Sequence, residues 1–256
     1  MLYSLSALVL LSRIQFNLLG RQAYVASILA LAPESREGSS PSVQQIRLRE
    51  ETGLGDLELQ RSFLSFSWWL VHRGWRFIMS LVDSAVKDVF TSSVPQRNSF
   101  IRLIYRISPK DVITPDTFRT LLAQVRQQIE YDSSPQPKPY TFLYSFLPPT
   151  PSDEALVLSK DSLVLDSVSP DLRRLLDETS DILESPAAIS VFHTLLDRAV
   201  EEFVSVLEDE AKVSRDGVVR LANYLPVATK EAEKIAHGVP NRYFQVSLHK
   251  CVLGDF

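Results

Sequence analysis

Leu8–Gly20 reads LVLLSRIQFNLLG, an apolar segment interrupted by Arg13, Gln15 and Asn17. Its apolar side chains cover nearly every direction around a helix axis, so such a helix buries most of its surface and aims a narrow polar stripe at something. Arg13 and Asn17 lie four residues apart and Arg21 four further on, which puts all three on one line of the helix surface. Two readings follow: a central bundle helix whose polar groups are satisfied internally, or a stripe that helps build a docking surface for another protein.

Around this segment the sequence reads as helix after helix. Leu2 to about Ala32 is expected as one long, almost wholly buried helix that Pro33 ends. Glu34 to about Gly55 is polar and holds Gly38-Ser39-Ser40-Pro41, a loop with room for a short helix from Ser42 to Thr52. Asp56–Ser92 carries apolar residues every three to four positions, from Leu59 and Phe63 to Val86 and Val89, and reads as a second long helix closed by Pro95. Asn98–Ile107 fits helix or loop. Thr114-Pro115-Asp116 then combines an N-cap, a first-turn proline and an acid at the positive end of the helix dipole, ahead of a helix over Phe118–Tyr131. Asp132–Ser152 is rich in proline, and its alternating Tyr140, Phe142, Tyr144 and Phe146 suggest a short strand or an extended segment laid over the bundle. Ser169-Pro170-Asp171 repeats the cap chemistry for a helix through Leu183, and Ser185-Pro186 starts another to about Lys212. A last helix is expected from about Arg215 to His237, kinked at Pro226 and stopped by Gly238 before Pro240. The expected fold is all-α: a single bundle of about six long helices over residues 1–256, with a proline-rich connection at 132–168.

The bulk composition narrows the function classes. A chain of 256 residues, 45% hydrophobic, is large enough for a substantial core, and its mean hydropathy of zero suits a globular protein. A net charge of -4 and no basic run with interleaved aromatics argue against nucleic-acid binding. The lone Cys251 cannot form an internal disulfide, which fits a reducing compartment. The opening MLYSLSALVLLSR resembles the apolar centre of a signal peptide, but it lacks a positive leader and runs straight into Arg13. No run reaches about 18 uninterrupted apolar residues, so no membrane span is expected within the chain.

Catalytic and metal chemistry find little support. His72, His193, His237 and His249 are scattered without a metal-ligand spacing. Gly53-Leu54-Gly55 lacks the third glycine of a dinucleotide loop, and with eight glycines in the chain phosphate-cradling loops are hard to place. Glu201-Glu202 and Glu208-Asp209-Glu210 read as a solvated helix face rather than a general-acid pair. No cofactor is implied. Trp68 and Trp75, seven residues apart, share a helical face and are expected in the core, so that Trp69 points elsewhere. The alternative is a partner-facing aromatic anchor with Arg73 or Arg76 stacked on indole.

Three segments carry a family resemblance: Leu8–Gly20, LLDETSDILESP at Leu175–Pro186 with its continuation FHTLLDRAVEEF at Phe192–Phe203, and LANYLPVATKEAEKIAHGVPN at Leu221–Asn241. In order and spacing they resemble peroxin three, the peroxisome biogenesis factor, and look closest to fungal forms. The likeness runs from Tyr3 to about Gln245. It implies a non-enzymatic helical bundle at the cytosolic face of the peroxisomal membrane. Such a bundle docks an amphipathic helix of the import receptor peroxin nineteen and so supports insertion of peroxisomal membrane proteins. Family members also anchor adaptors for peroxisome inheritance and selective autophagy. Helix-in-groove recognition supplies the physics: apolar anchors fill a groove while a few polar groups fix orientation.

The resemblance makes Asn17 a groove residue, with Leu18, Gly20 and Tyr24 in the following turns and Arg13 on the same stripe. Two departures qualify it. The family chain normally begins upstream, with a membrane anchor and a helix whose tryptophan and lysine line the groove. Met1 falls inside what resembles the second half of that helix, so membrane contact is expected only through a segment absent here, and a chain without it is expected in the cytosol, with weak receptor binding or aggregation and exposed apolar surface on its first helix. The tail VSLHKCVLGDF, residues 246–256, stops resembling the family. The competing reading is a generic helical scaffold or adaptor unrelated to peroxisomes.

Overall fold

Four Ser/Thr-Pro pairs open four helices with the same local chemistry. The hydroxyls of Thr114, Thr150, Ser169 and Ser185 accept the backbone N–H of the residue three positions on, at 3.2 Å in every case. Each proline fills the first helical position, where its missing N–H costs nothing. The computed structural model describes residues 1–31, 57–91, 110–130, 143–160, 168–211, 218–238, 241–243 and 245. In chain order these form α1 (Leu2–Leu31), α2 (57–65), α3 (Ser67–Trp69), a π-helical segment (Leu70–Gly74), α4 (Trp75–Thr91), β1 (Val112–Ile113), α5 (Pro115–Glu130), α6 (Leu143–Phe146), α7 (Pro151–Lys160), α8 (Pro170–Glu184), α9 (Pro186–Glu210), β2 (Val219–Arg220) and α10 (Leu221–His237). The fold is all-α, as the sequence implies. The helix expected at Ser42–Thr52, the Asn98–Ile107 stretch, Tyr140 and Phe142, the prolines at 33 and 95, Gly53 and Gly55, His249 and Cys251 lie outside the described residues.

Several expectations are corrected. Leu143–Phe146 is a helical turn, not a strand. α7 lies inside the expected proline-rich connection, because Thr150-Pro151 supplies the same cap as the other three pairs and Asp153 and Glu154 complement the dipole. The last helix starts at Leu221, not near Arg215, since β2 precedes it and pairs antiparallel with β1, Val112 opposite Arg220 and Ile113 opposite Val219. The long helix expected over Asp56–Ser92 is interrupted at Phe66 and widened at Leu70–Gly74. A π turn carries more residues than an α turn and shifts the phase of everything after it. The seven-residue rule therefore fails for the tryptophans: Trp69 is the buried one, Trp68 is half-buried and stacks on His72 at 4.3 Å, and Trp75 is exposed beneath the Arg76 guanidinium.

The segment Leu2–Ile28 is also long and apolar enough, by length and composition alone, to cross a membrane. Counting uninterrupted apolar residues overlooks this because leucines dilute the isolated Arg13 and Gln15 in the average. Half of its most apolar window is buried inside the protein, and a core helix has the same composition.

The chain divides into two compact units. One comprises Ala7–Gly74 and Leu143–Ile189. Its centre holds Leu11, Phe63, Phe66, Leu70, Leu158, Leu172 and Leu175, all fully buried. Gln15, 1% exposed, donates from Nε2 to the Phe63 carbonyl at 2.8 Å, a buried polar contact between α1 and α2. α6 packs on the π segment so closely that a Cβ at Gly74 would stand 2.0 Å from the Ser145 carbonyl oxygen.

The other unit comprises Met1–Ser6, Trp75–Phe142 and Ser190–Phe256. α4 packs on α5, and Ile113, Leu207, Ala211, Val219 and Tyr224 form a core cluster around the β1–β2 pair. The α1 N-terminus is tied in by Tyr3, whose hydroxyl donates to Glu130 at 2.9 Å. Arg126 bridges Glu130 at 2.7 Å and Asp197 at 2.5 Å. Burial pushes the Glu130 carboxyl up, but hydrogen bonds from His193, Arg126 and Tyr3 outweigh it and hold the group below the usual carboxylate range.

Gly74→Ala is expected to lower unfolding stability by about 1–3 kcal/mol, because the clash is with backbone rather than a movable side chain. Gln15→Leu is expected to cost about 1–3 kcal/mol by stranding the Phe63 carbonyl. Urea denaturation of both variants measures these losses.

Candidate partner-binding site

α1 divides its surface sharply between residues 7 and 28. Ala7, Leu11, Ile14 and Leu18 follow a spacing of four, three and four residues and are buried. Arg13, Phe16, Asn17, Gly20 and Tyr24 follow the complementary spacing and are exposed. The stripe is apolar as well as polar: Phe16 is 61% and Tyr24 66% exposed, with Val25 and Ile28 beside them. The expectation of an almost wholly buried first helix is corrected here, since every residue from Arg21 to Ile28 except Gln22 is exposed. An apolar pattern records that a surface avoids water, not whether core or partner covers it.

The five residues singled out in the sequence divide accordingly. Arg13, Asn17, Gly20 and Tyr24 share the exposed stripe, whereas Leu18 is 3% exposed and serves the core. Phe16, Val25 and Ile28 join the stripe without having been singled out. The spacing of eight residues from Phe16 to Tyr24 and four from Tyr24 to Ile28 was the available signal, while Val25, next to Tyr24, follows no such spacing with it.

Gly20 stands out within this surface. A Cβ built there meets no atom within 4 Å, so neither packing nor a tight turn requires glycine. Glycine inside a helix is destabilising, and its remaining structural use is to let something approach the backbone closely.

A depression of about 300 Å³ adjoins the stripe, lined by Arg21, Gln22, Val25 and Ala26 of α1 and by Arg174, Leu175 and Glu178 of α8. The Arg21 guanidinium pairs with Glu178 across it. On α8, Arg173 is likewise neutralised, by Glu154 of α7 at 2.8 Å. The arrangement offers an apolar strip, a notch at Gly20 and a cleft wide enough for an anchoring side chain. These are features of a helix-binding surface. The other unit carries a separate apolar groove of about 360 Å³, between α4, α5, α9, α10 and the first residues of α1.

Comparison with known proteins gives a consistent result. A family model described as Peroxin-3 matches residues 1–256, tail included, further than the quoted motifs extend. A relative from Yarrowia lipolytica named peroxisomal biogenesis factor 3 is 31% identical over 231 residues, covering 84% of this chain and 49% of the relative. Another of that name, from Eremothecium gossypii, is 25% identical over 99% of this chain and 58% of its own length. A protein from Komagataella phaffii named peroxisomal membrane protein PEX3 is 28% identical over 41% of this chain and 24% of its own. The chain spans about half the length of the curated relatives it matches over most of its length.

Gly20→Ala is expected to raise the stability of the isolated chain by about 0.5–1 kcal/mol, since the added methyl meets nothing and improves helix propensity. Chemical denaturation measures the gain; a loss would mean that the glycine serves the fold.

Proposed function

The chain belongs to the peroxin-3 family, and on that premise we propose that it serves peroxisome biogenesis as a docking protein rather than an enzyme. Its partner in this reading is the amphipathic helix of the import receptor peroxin nineteen, bound along the exposed stripe of α1. Arg13, Asn17, Gly20 and Tyr24 form the contact surface, with Phe16, Val25 and Ile28 as apolar companions, and Leu18 supports them from beneath. Residues 1–256 act as one helical domain at the cytosolic face of the peroxisomal membrane, and adaptors for inheritance or autophagy use other faces.

One observation carries this reading. An aromatic and aliphatic stripe stands exposed beside a cleft, on the helix that carries Asn17, the residue that the resemblance makes a groove residue. Leaving Phe16, Tyr24, Val25 and Ile28 in water forfeits roughly 25 cal/mol for each Å² of apolar area that a partner would cover. A ligand helix presenting apolar residues at a matching three-to-four spacing recovers that area.

Fluorescence-anisotropy titration of the 256-residue chain with an N-terminal peptide of peroxin nineteen tests the reading. Saturable binding is expected, weakened about ten-fold or more by Asn17→Lys or Phe16→Asp, with unfolding midpoints unchanged. Absence of saturable binding, or binding indifferent to both substitutions, would overturn it.

A further inference from the structure

The charge on the stripe is lopsided, and the geometry points to Arg13 as the residue that sets the direction in which a docked helix lies, by pairing with an acidic side chain near one end of that helix. This rests on the docking reading above and adds a polarity to it.

The arginines of this unit differ in how they are used. Arg21 is neutralised by Glu178, and Arg173 by Glu154. Around the cleft, Arg174 shares its surroundings with the acids Asp177, Glu178 and Asp181. With Glu154 counted, that end of the stripe sets four carboxylates, Glu154, Asp177, Glu178 and Asp181, against three arginines, Arg21, Arg173 and Arg174. Arg174 makes no ion pair among the described residues but lies among three carboxylates, whereas Arg13, eight residues before Arg21, is exposed and likewise makes no ion pair among the described residues. In a chain of net charge -4, an exposed guanidinium at one end of an apolar stripe, without an ion pair among the described residues, is the feature a partner can read. Arginine suits the task because its planar fork pairs with a carboxylate through two parallel hydrogen bonds.

Twelve residues separate Arg13 from Val25 at the cleft, about 18 Å along the helix at 1.5 Å per residue. A helix lying along the stripe, with an apolar anchor in the cleft, meets Arg13 about three turns away. An acid on the ligand is thus favoured three turns from the anchor. Beside the anchor it gains less, because Asp177, Glu178 and Asp181 line the depression at that end of the stripe. Pairs of this kind at an interface rim add modest affinity and fix orientation and register.

Two synthetic amphipathic peptides test the inference. Both carry leucines at three-to-four spacing and one glutamate at the edge of the apolar face, near the N-terminus in one and near the C-terminus in the other. The intact chain is expected to prefer one of them by about three- to five-fold, in keeping with an exposed ion pair. Arg13→Glu should abolish or invert that preference, Arg13→Lys should keep most of it, and added salt should erase it. Equal binding of both peptides, or a preference that Arg13→Glu leaves intact, overturns the inference. The docking reading survives either result as long as Phe16→Asp or Tyr24→Asp still weakens both peptides, and fails with it if neither does.

Discussion

The rotation of α1 about its own axis depends on one buried contact, the hydrogen bond from Gln15 to the carbonyl of Phe63. A helix with apolar residues in nearly every direction gains similar hydrophobic free energy in several rotations, so burial alone does not select one. A carboxamide does, because it loses about 1–3 kcal/mol if taken from water without a partner. With Gln15 turned inward, helical geometry sends Arg13, Asn17, Gly20 and Tyr24 outward as a set. The stripe is the geometric complement of a satisfied core contact.

The same reasoning separates what was legible in the sequence from what was not. Helix starts at Pro115, Pro170 and Pro186 were readable because a cap is a local device, complete within four residues. The start at Pro151 was equally local but sat among prolines whose average composition suggested extended chain. The tryptophans were misassigned because helical spacing assumes unbroken α geometry, and the π turn at Leu70–Gly74 inserts a phase shift that no single residue announces. The β1–β2 pair, two residues on each side, has no period to detect and depends on contact between segments about a hundred positions apart.

The candidate site was legible in part for a similar reason. Arg13 and Asn17 were identifiable because they share one line of the helix surface with Arg21, whereas Gln15 falls off that line and is buried. Phe16, Val25 and Ile28 were not, since exposed apolar residues look like core residues until the core is seen to be closed without them. Leu18 shows the converse, a residue next to Asn17 in sequence but about 100° away around the helix, hence in the core.

Incorporating the photoreactive residue p-benzoylphenylalanine at position 17, 24 or 194, followed by irradiation with the peroxin nineteen peptide, tests the central claim most directly. Positions 17 and 24 lie on the stripe, and Thr194 is an exposed residue of α9 in the other unit. Crosslinking at 17 and 24 but not at 194 is the predicted result. Crosslinking at 194 with none at 17 or 24 would contradict the account.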